Sequence, residues 1–121
     1  MILVAVDDFL FRSKIRTTGK QAGVELTFPK TPDETIDQAR ALKPSLAIFD
    51  LNSATLDPIG TIAKMKQDPD LRGIRTMGFV SHVDTTRIQA ARTAGADEVL
   101  ARSAFATQLA DILLANTPER S

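Results

Sequence analysis

The chain contains no cysteine. That excludes disulfides, thiolate metal sites and a cysteine nucleophile. It contains no tryptophan and no tyrosine, so stacking on nucleic-acid bases would rest on six phenylalanines alone. It carries no net charge, because fifteen basic and fifteen acidic side chains balance. A balanced chain has no general attraction for nucleic acid or for an anionic membrane, and neither is expected as a direct partner. Its apolar runs are far shorter than the roughly 20 residues a membrane helix needs. The opening MILVAVDD lacks the basic n-region and cleavage site of a signal peptide. A cytoplasmic protein is the expectation.

What is present suits one domain over residues 1–121, since single cores commonly form at about 100–150 residues. Apolar residues at 43% and charged residues at 25% place the chain among ordinary soluble globular proteins. Five short runs, rich in β-branched residues, read as strands: Ile2–Val6, Val24–Phe28, Leu46–Phe49, Ile74–Val80 and Glu98–Ala101. They are continuously apolar rather than alternating, which suits strands buried on both faces. Helical spacing fills the intervals. The first helix runs from Phe9 to Ala22 and stops at Gly23. The second opens on Thr31-Pro32-Asp33-Glu34, a cap, a first-turn proline and a capping-box acid, and runs to Leu42 before Lys43-Pro44. The third spans Asp57-Pro58 to Gln67, the fourth runs from an Asp84 cap to Gly95, and the fifth from Ala104 to Ala115. Strand and helix alternate five times, which predicts an α/β sandwich with helices on both faces of a parallel sheet. The polar tail NTPERS is expected to fray.

In such a sheet the carboxyl ends of the strands line one crevice, and ligands bind there. Asp7 and Asp8 follow the first strand, Asp50 the third, Ser81 the fourth and Arg102 the fifth. Three carboxylates, a hydroxyl and a cation suit a hard divalent cation with a phosphoryl group. Each residue also has a plainer reading. An Asp at a strand–helix junction caps free N–H groups. Two in succession exceed what capping needs, which favours metal. Asp50 is either a phosphoryl-accepting nucleophile or a polar strand end opening a turn. Asn52 has a backbone carbonyl able to ligate a metal without adding charge. Ser81, taken alone, is a turn former. Arg102, taken alone, is an exposed surface cation. Gly19-Lys20 is not a phosphate loop, because the upstream glycine is missing and the pair sits late in a helix.

Taken together, the constellation resembles the receiver domain of two-component response regulators, and the resemblance spans essentially the whole chain. VDD follows the first strand, an Asp the third, a Ser the fourth and a cation the fifth. RTAGADEVLARSAF is similar to that family's fourth-helix end, fifth strand and following loop. The resemblance implies a five-stranded parallel sheet of order 2-1-3-4-5 sandwiched by five helices, the flavodoxin-like (βα)5 arrangement. It implies Asp7 and Asp8 as the acidic pair and Asp50 as phosphoacceptor. Mg²⁺ would be held by those three and the Asn52 backbone carbonyl, with Ser81 and Arg102 contacting the phosphoryl group. The implied partner is a histidine kinase or phosphotransfer protein, and the face of the fourth and fifth helices is a dimer surface by analogy. Two departures stand out. Where the family has Lys followed by Pro, this chain has Arg102-Ser103, and a wide planar fork does not replace a compact ammonium conservatively. Val99 occupies the switch position, where the family often has a Tyr or Phe that swings.

Three functions follow in order. The first is a phosphoacceptor receiver that signals by protein contact, with no enzymatic activity beyond its own phosphorylation and dephosphorylation. The second is a pseudo-receiver, an interaction module that works without phosphorylation; Arg102, Ser103 and Val99 favour it. The third is an aspartyl-phosphate phosphohydrolase. That chemistry needs a second acid two residues after the nucleophile, and position 52 is Asn.

Overall fold

A computed structural model describes residues 1–82 and 84–117. Five strands form the sheet: β1 (Ile2–Ala5), β2 (Leu26–Thr27), β3 (Leu46–Asp50), β4 (Arg75–Val80) and β5 (Glu98–Ala101). The connections hold α1 (Phe9–Ala22), α2 (Pro32–Leu42), α3 (Pro58–Gln67) and α4 (Thr85–Ala94). After β5 come α5 (Arg102–Thr107) and α6 (Leu109–Ala115). All four strand pairings are parallel, and the order is β2-β1-β3-β4-β5. The chain order reverses between β1 and β3, so the crevice opens above their carboxyl ends. None of the described helices is long and apolar enough to cross a membrane.

The strand period of two sorts each strand's side chains to opposite faces. Ile2, Val4 and Val6 join Ile48, Met77 and Phe79 in one core, covered by Phe11 and Ile15 of α1, Phe105 of α5 and Leu109 of α6. Leu3, Ala5, Ala47 and Phe49 face the other way, against Ala39 of α2, Ile62 and Met65 of α3 and Ala91 of α4. Both faces are covered, which is why the central strands are mostly apolar, with Asp50 at a strand end and Thr76 buried within β4.

Side-chain caps start four helices. Asp8 accepts from Phe11 N at 3.0 Å, Thr31 from Glu34 N at 3.0 Å, Asp57 from Gly60 N at 3.3 Å and Asp84 from Arg87 N at 3.0 Å. Glu34 reaches back as a capping-box acid should, but accepts from Lys30 N rather than from Thr31. Gly23 ends α1 at φ 71°, a left-handed conformation that favours glycine.

Two elements differ from the sequence reading. The second strand shrinks to Leu26–Thr27, because Val24 N is spent on Gly19 O in the helix stop and Pro29 has no N–H to give. The fifth helical run begins at Arg102 and divides at Gln108, whose ψ of 6° leaves the helical range. Hydrogen bonding spans the division, since Gln108 N donates to Ala104 O and Ile112 N to Gln108 O. The five helical runs therefore appear as six helical segments. The tail beyond Thr117 lies outside the described residues.

Candidate functional site at the carboxyl edge of the sheet

Asp7, Asp8, Asp50, Ser81 and Arg102 all come to the carboxyl edge. The two residues of the acidic pair are held differently. Asp7 Oδ2 accepts from the hydroxyls of Ser53 and Thr55, each at 2.7 Å. Burial opposes its ionisation, but those hydrogen bonds outweigh burial and hold its pKa below the usual value. Asp8 spends one oxygen on the cap of α1 and the other on Arg102 Nη2 at 3.0 Å. The Phe11 N–H lowers its pKa most; burial opposes, and Arg102 adds to the lowering.

Arg102 is fixed on two sides. Its guanidinium carbon lies 4.3 Å from the centroid of the Phe11 ring, a cation–π contact, while Nη2 grips Asp8. Phe11 itself is locked edge-on to Phe79 with centroids 5.1 Å apart, and Phe79 stacks on Phe105 at 4.8 Å. The core beneath thus aims the cation.

Asp50 ends β3 and is only 5% exposed. Its Oδ1 accepts from Asn52 N at 2.9 Å. Among the described residues Oδ2 accepts no hydrogen bond, yet it is not sealed from solvent. Burial pushes the Asp50 pKa up. The Asn52 N–H and Arg102 resist, while the charges of Asp7 and Asp8 add to the rise. The three carboxylates and the guanidinium therefore share one electrostatic neighbourhood.

Ser81 is exposed, and its backbone N–H, not its hydroxyl, reaches the site by donating to Asn52 Oδ1 at 2.8 Å. Asn52 was singled out for its carbonyl; the structure uses its side chain as a strut between two loops. Val99 sits in β5 beside Gly78 of β4 and, like Ile88 and Ala94 of α4, packs partly buried against the core on that side. Three participants escaped the sequence reading: Ser53 and Thr55, which hold Asp7, and Arg87, which donates to Leu51 O at 2.8 Å. The run NSAT after Asp50 was a signal for the first two, but hydroxyls after a strand read equally well as turn formers.

The donors are hard oxygens, and the carboxylates raise one another's charge cost, which suits a divalent cation. Their arrangement does not gather them around one point. Among the described residues, no group of three or more His, Cys, Asp or Glu side chains is close enough to hold a metal. Asp8 is turned to Arg102, and Asp7 to Ser53 and Thr55.

No protein-family model matches the sequence, and no curated protein does. Solved structures do match. The phosphorylated cyanobacterial phytochrome response regulator RcpA is 22% identical with a TM-score of 0.77, over 94% of this chain and 88% of its own. The Mn²⁺-bound response regulator Rcp1 is 16% identical at a TM-score of 0.77, over 99% and 96% of the two chains. A CheY-like response regulator receiver domain protein from Methanospirillum hungatei is 17% identical at 0.79, over 94% and 90%. The chain is folded as these response regulator receiver domains are.

Proposed function

We propose that this chain is a phosphoacceptor receiver domain of two-component signalling, cytoplasmic, with Asp50 as the acceptor. The observation that carries the reading is Asp50 itself. It is a buried carboxylate at the end of a central strand, with one oxygen held by Asn52 N and the other left open beside Arg102. An Asp50 oxygen attacks the phosphorus of a phosphohistidine on a kinase or phosphotransfer protein. The new P–O bond forms as the P–N bond breaks, and the departing imidazole takes a proton from water. Arg102 offsets the charge developing on the phosphoryl oxygens. Ser81, at the crevice mouth, offers a hydroxyl to them. Mg²⁺ is the proposed cofactor; Asp7, Asp50 and the Asn52 carbonyl would hold it, and Asp8 would contribute an oxygen if freed from Arg102. When bound, the ion neutralises carboxylate and phosphoryl charge. The Mn²⁺ in Rcp1 supports a divalent ion on this fold.

The donor is a protein. Phe9 and Leu10, 73% and 78% exposed, stand next to the acidic pair as an apolar rim for such a partner. The chain has no separate enzymatic role in this reading; position 52 is an Asn bonded to Ser81 N, not the second acid a phosphohydrolase needs.

A specific observation favours the second reading, a pseudo-receiver that works without phosphate. Asp8 is already paired with Arg102, and the carboxylates are not gathered for a metal. Acetyl phosphate with Mg²⁺ separates the two. One phosphate, labile to base and absent from Asp50→Asn by intact mass, is expected. An unlabelled wild type supports the pseudo-receiver, and a labelled Asp50→Asn moves the acceptor elsewhere.

A further inference from the structure

A single peptide unit joins Asp50 to α4. Its N–H belongs to Asn52 and donates to Asp50 Oδ1 at 2.9 Å. Its C=O belongs to Leu51 and accepts from Arg87 Nη1 at 2.8 Å. The peptide is planar, so its two ends cannot reorient independently. Leu51 cannot drift away either. Its side chain is fully buried, its N–H donates to Phe79 O at 3.0 Å, and it lies against Gly78, where an added Cβ would come within 2.8 Å of it. The freedom that remains is a tilt of the peptide plane, which moves both hydrogen bonds at once.

Arg87 is anchored at the other end. Its own N–H donates to Asp84 Oδ1 at 3.0 Å, and its Nε to Asp84 Oδ2 at 3.4 Å, so the cap of α4 and the guanidinium are one assembly. A cationic donor on a carbonyl polarises the amide and strengthens its N–H as a donor. The path from Asp50 to Asp84 is therefore four groups long: carboxylate, peptide, guanidinium, capping carboxylate. It does not pass through Val99, Ser81 or Ser103.

We propose that Arg87 is a positioning residue for Asp50, and that through the Leu51–Asn52 peptide it relays the state of that carboxylate to the first turn of α4. The inference deepens the acceptor reading, on which it rests, by naming how a change at Asp50 leaves the crevice. α4 suits a receiving element. It buries one residue, Ala91, and its remaining core contacts are the partly buried Ile88 and Ala94. An element so lightly packed is displaced at low cost. The Arg87 side chain is about 38% exposed, so its replacement leaves the core intact.

The test needs no phosphate. Amide shifts and hydrogen exchange are recorded for the wild type, Asp50→Asn, Arg87→Met and the double variant. Methionine keeps the apolar stem and removes the donors. In the Arg87 background, Asp50→Asn is expected to move the amides of Asn52, Arg87 and Ile88 and to change exchange in the first turn of α4 several-fold. In the Arg87→Met background Asn52 still responds, while Arg87→Met and Ile88 amides do not follow Asp50. A merely structural strap would loosen α4 equally whatever stands at position 50. Equal α4 responses in the two backgrounds overturn the relay. A parallel titration of the wild type with Mg²⁺ and beryllofluoride keeps the two claims apart. Shifts at Asn52 that stop short of Arg87 also overturn the relay. No shift at all, with the Asp50→Asn coupling intact, upholds the relay and removes the acceptor reading instead.

Discussion

On the face of the sheet that carries α1, α5 and α6, three phenyl rings interlock and a guanidinium lies across the outermost of them. On the face that carries α2, α3 and α4, Phe49 alone among the described residues contributes a ring to the core, and α4 meets that face with Ala91, Ile88 and Ala94. Between α3 and α4 a groove of about 900 Å³ is lined by small or polar residues such as Ala63, Gln89, Ala90 and Thr93. The two faces meet the same five strands. Close packing on the first resists small displacements, because every shift breaks many contacts at once. On the second face α4 itself is lightly packed, with Ala91 buried and Ile88 and Ala94 partly so, and its cap and Arg87 add to the hold. The first face therefore fixes where Asp8 and Arg102 stand, while on the second α4 buries only Ala91 fully.

The sharpest way to break this contrast is to remove one ring. Phe79→Ala, taken from the middle of the stack, is expected to cost about 3–5 kcal/mol of folding stability. Ile88→Ala on α4, only partly buried, is expected to cost about 1 kcal/mol. Urea melts of both variants decide the matter, and near-equal losses would erase the difference between the faces.

A smaller effect tests the grip on Arg102. Arg102→Gln frees Asp8, so Mg²⁺ affinity measured by calorimetry is expected to rise about tenfold, equivalent to about 1.4 kcal/mol. An unchanged affinity would mean that Arg102 and the metal do not compete. Asp8→Asn is expected to weaken Mg²⁺ binding in either background.

Acidity gives a third test, with opposite signs within the one crevice. The raised pKa of Asp50, caused chiefly by burial, means that between the ordinary carboxylate range and the raised value the folded chain holds a proton that the unfolded chain has released. Stability therefore falls as pH rises from the ordinary carboxylate range through the raised value. Asp50→Asn removes that fall, and is expected to be more stable than wild type at pH 7 by on the order of 1 kcal/mol. It should match the wild type below the ordinary carboxylate range. Asp7 and Asp8, with lowered pKa values, stabilise above that range, and their contribution is lost as pH drops through the lowered values. Melts across pH 2–8 check both signs, and an Asp50→Asn curve parallel to wild type at every pH would refute the first.

The smallest expected effect lies far from the crevice. Arg75 pairs with Glu98 at 3.0 Å with both side chains well exposed, so Arg75→Ala should change stability by less than about 1 kcal/mol. A larger loss in the same melts would show that the β4–β5 edge contributes more than its packing indicates.

Much of this was legible beforehand. The short apolar runs located all five strands, and the alternation with helical spacing predicted a parallel sheet. The reading failed where a residue had two uses of similar energy. Val24 is apolar enough for a strand, yet its N–H closes the helix at Gly19. Gln108 belongs to a helical run by pattern, and nothing local announces its ψ of 6°. Arg87 read as one more polar residue of α4, since no pattern in the chain links it to the carbonyl of Leu51, 36 residues earlier.

By itself the sequence determined which residues would stand at the carboxyl edge. An apolar run of strand length ends where the first polar residue appears, and Asp7, Asp50 and Ser81 are those residues. Only the tertiary structure decided what each of them holds. Asp8 is tied to Arg102 across 94 residues, and Asp7 to Ser53 across 46. A hydrogen bond is made or lost within a few tenths of an ångström, a precision that periodicity does not carry. Packing carries it: Phe79 and Phe105 seat Phe11, Phe11 seats Arg102, and Arg102 settles which way Asp8 turns.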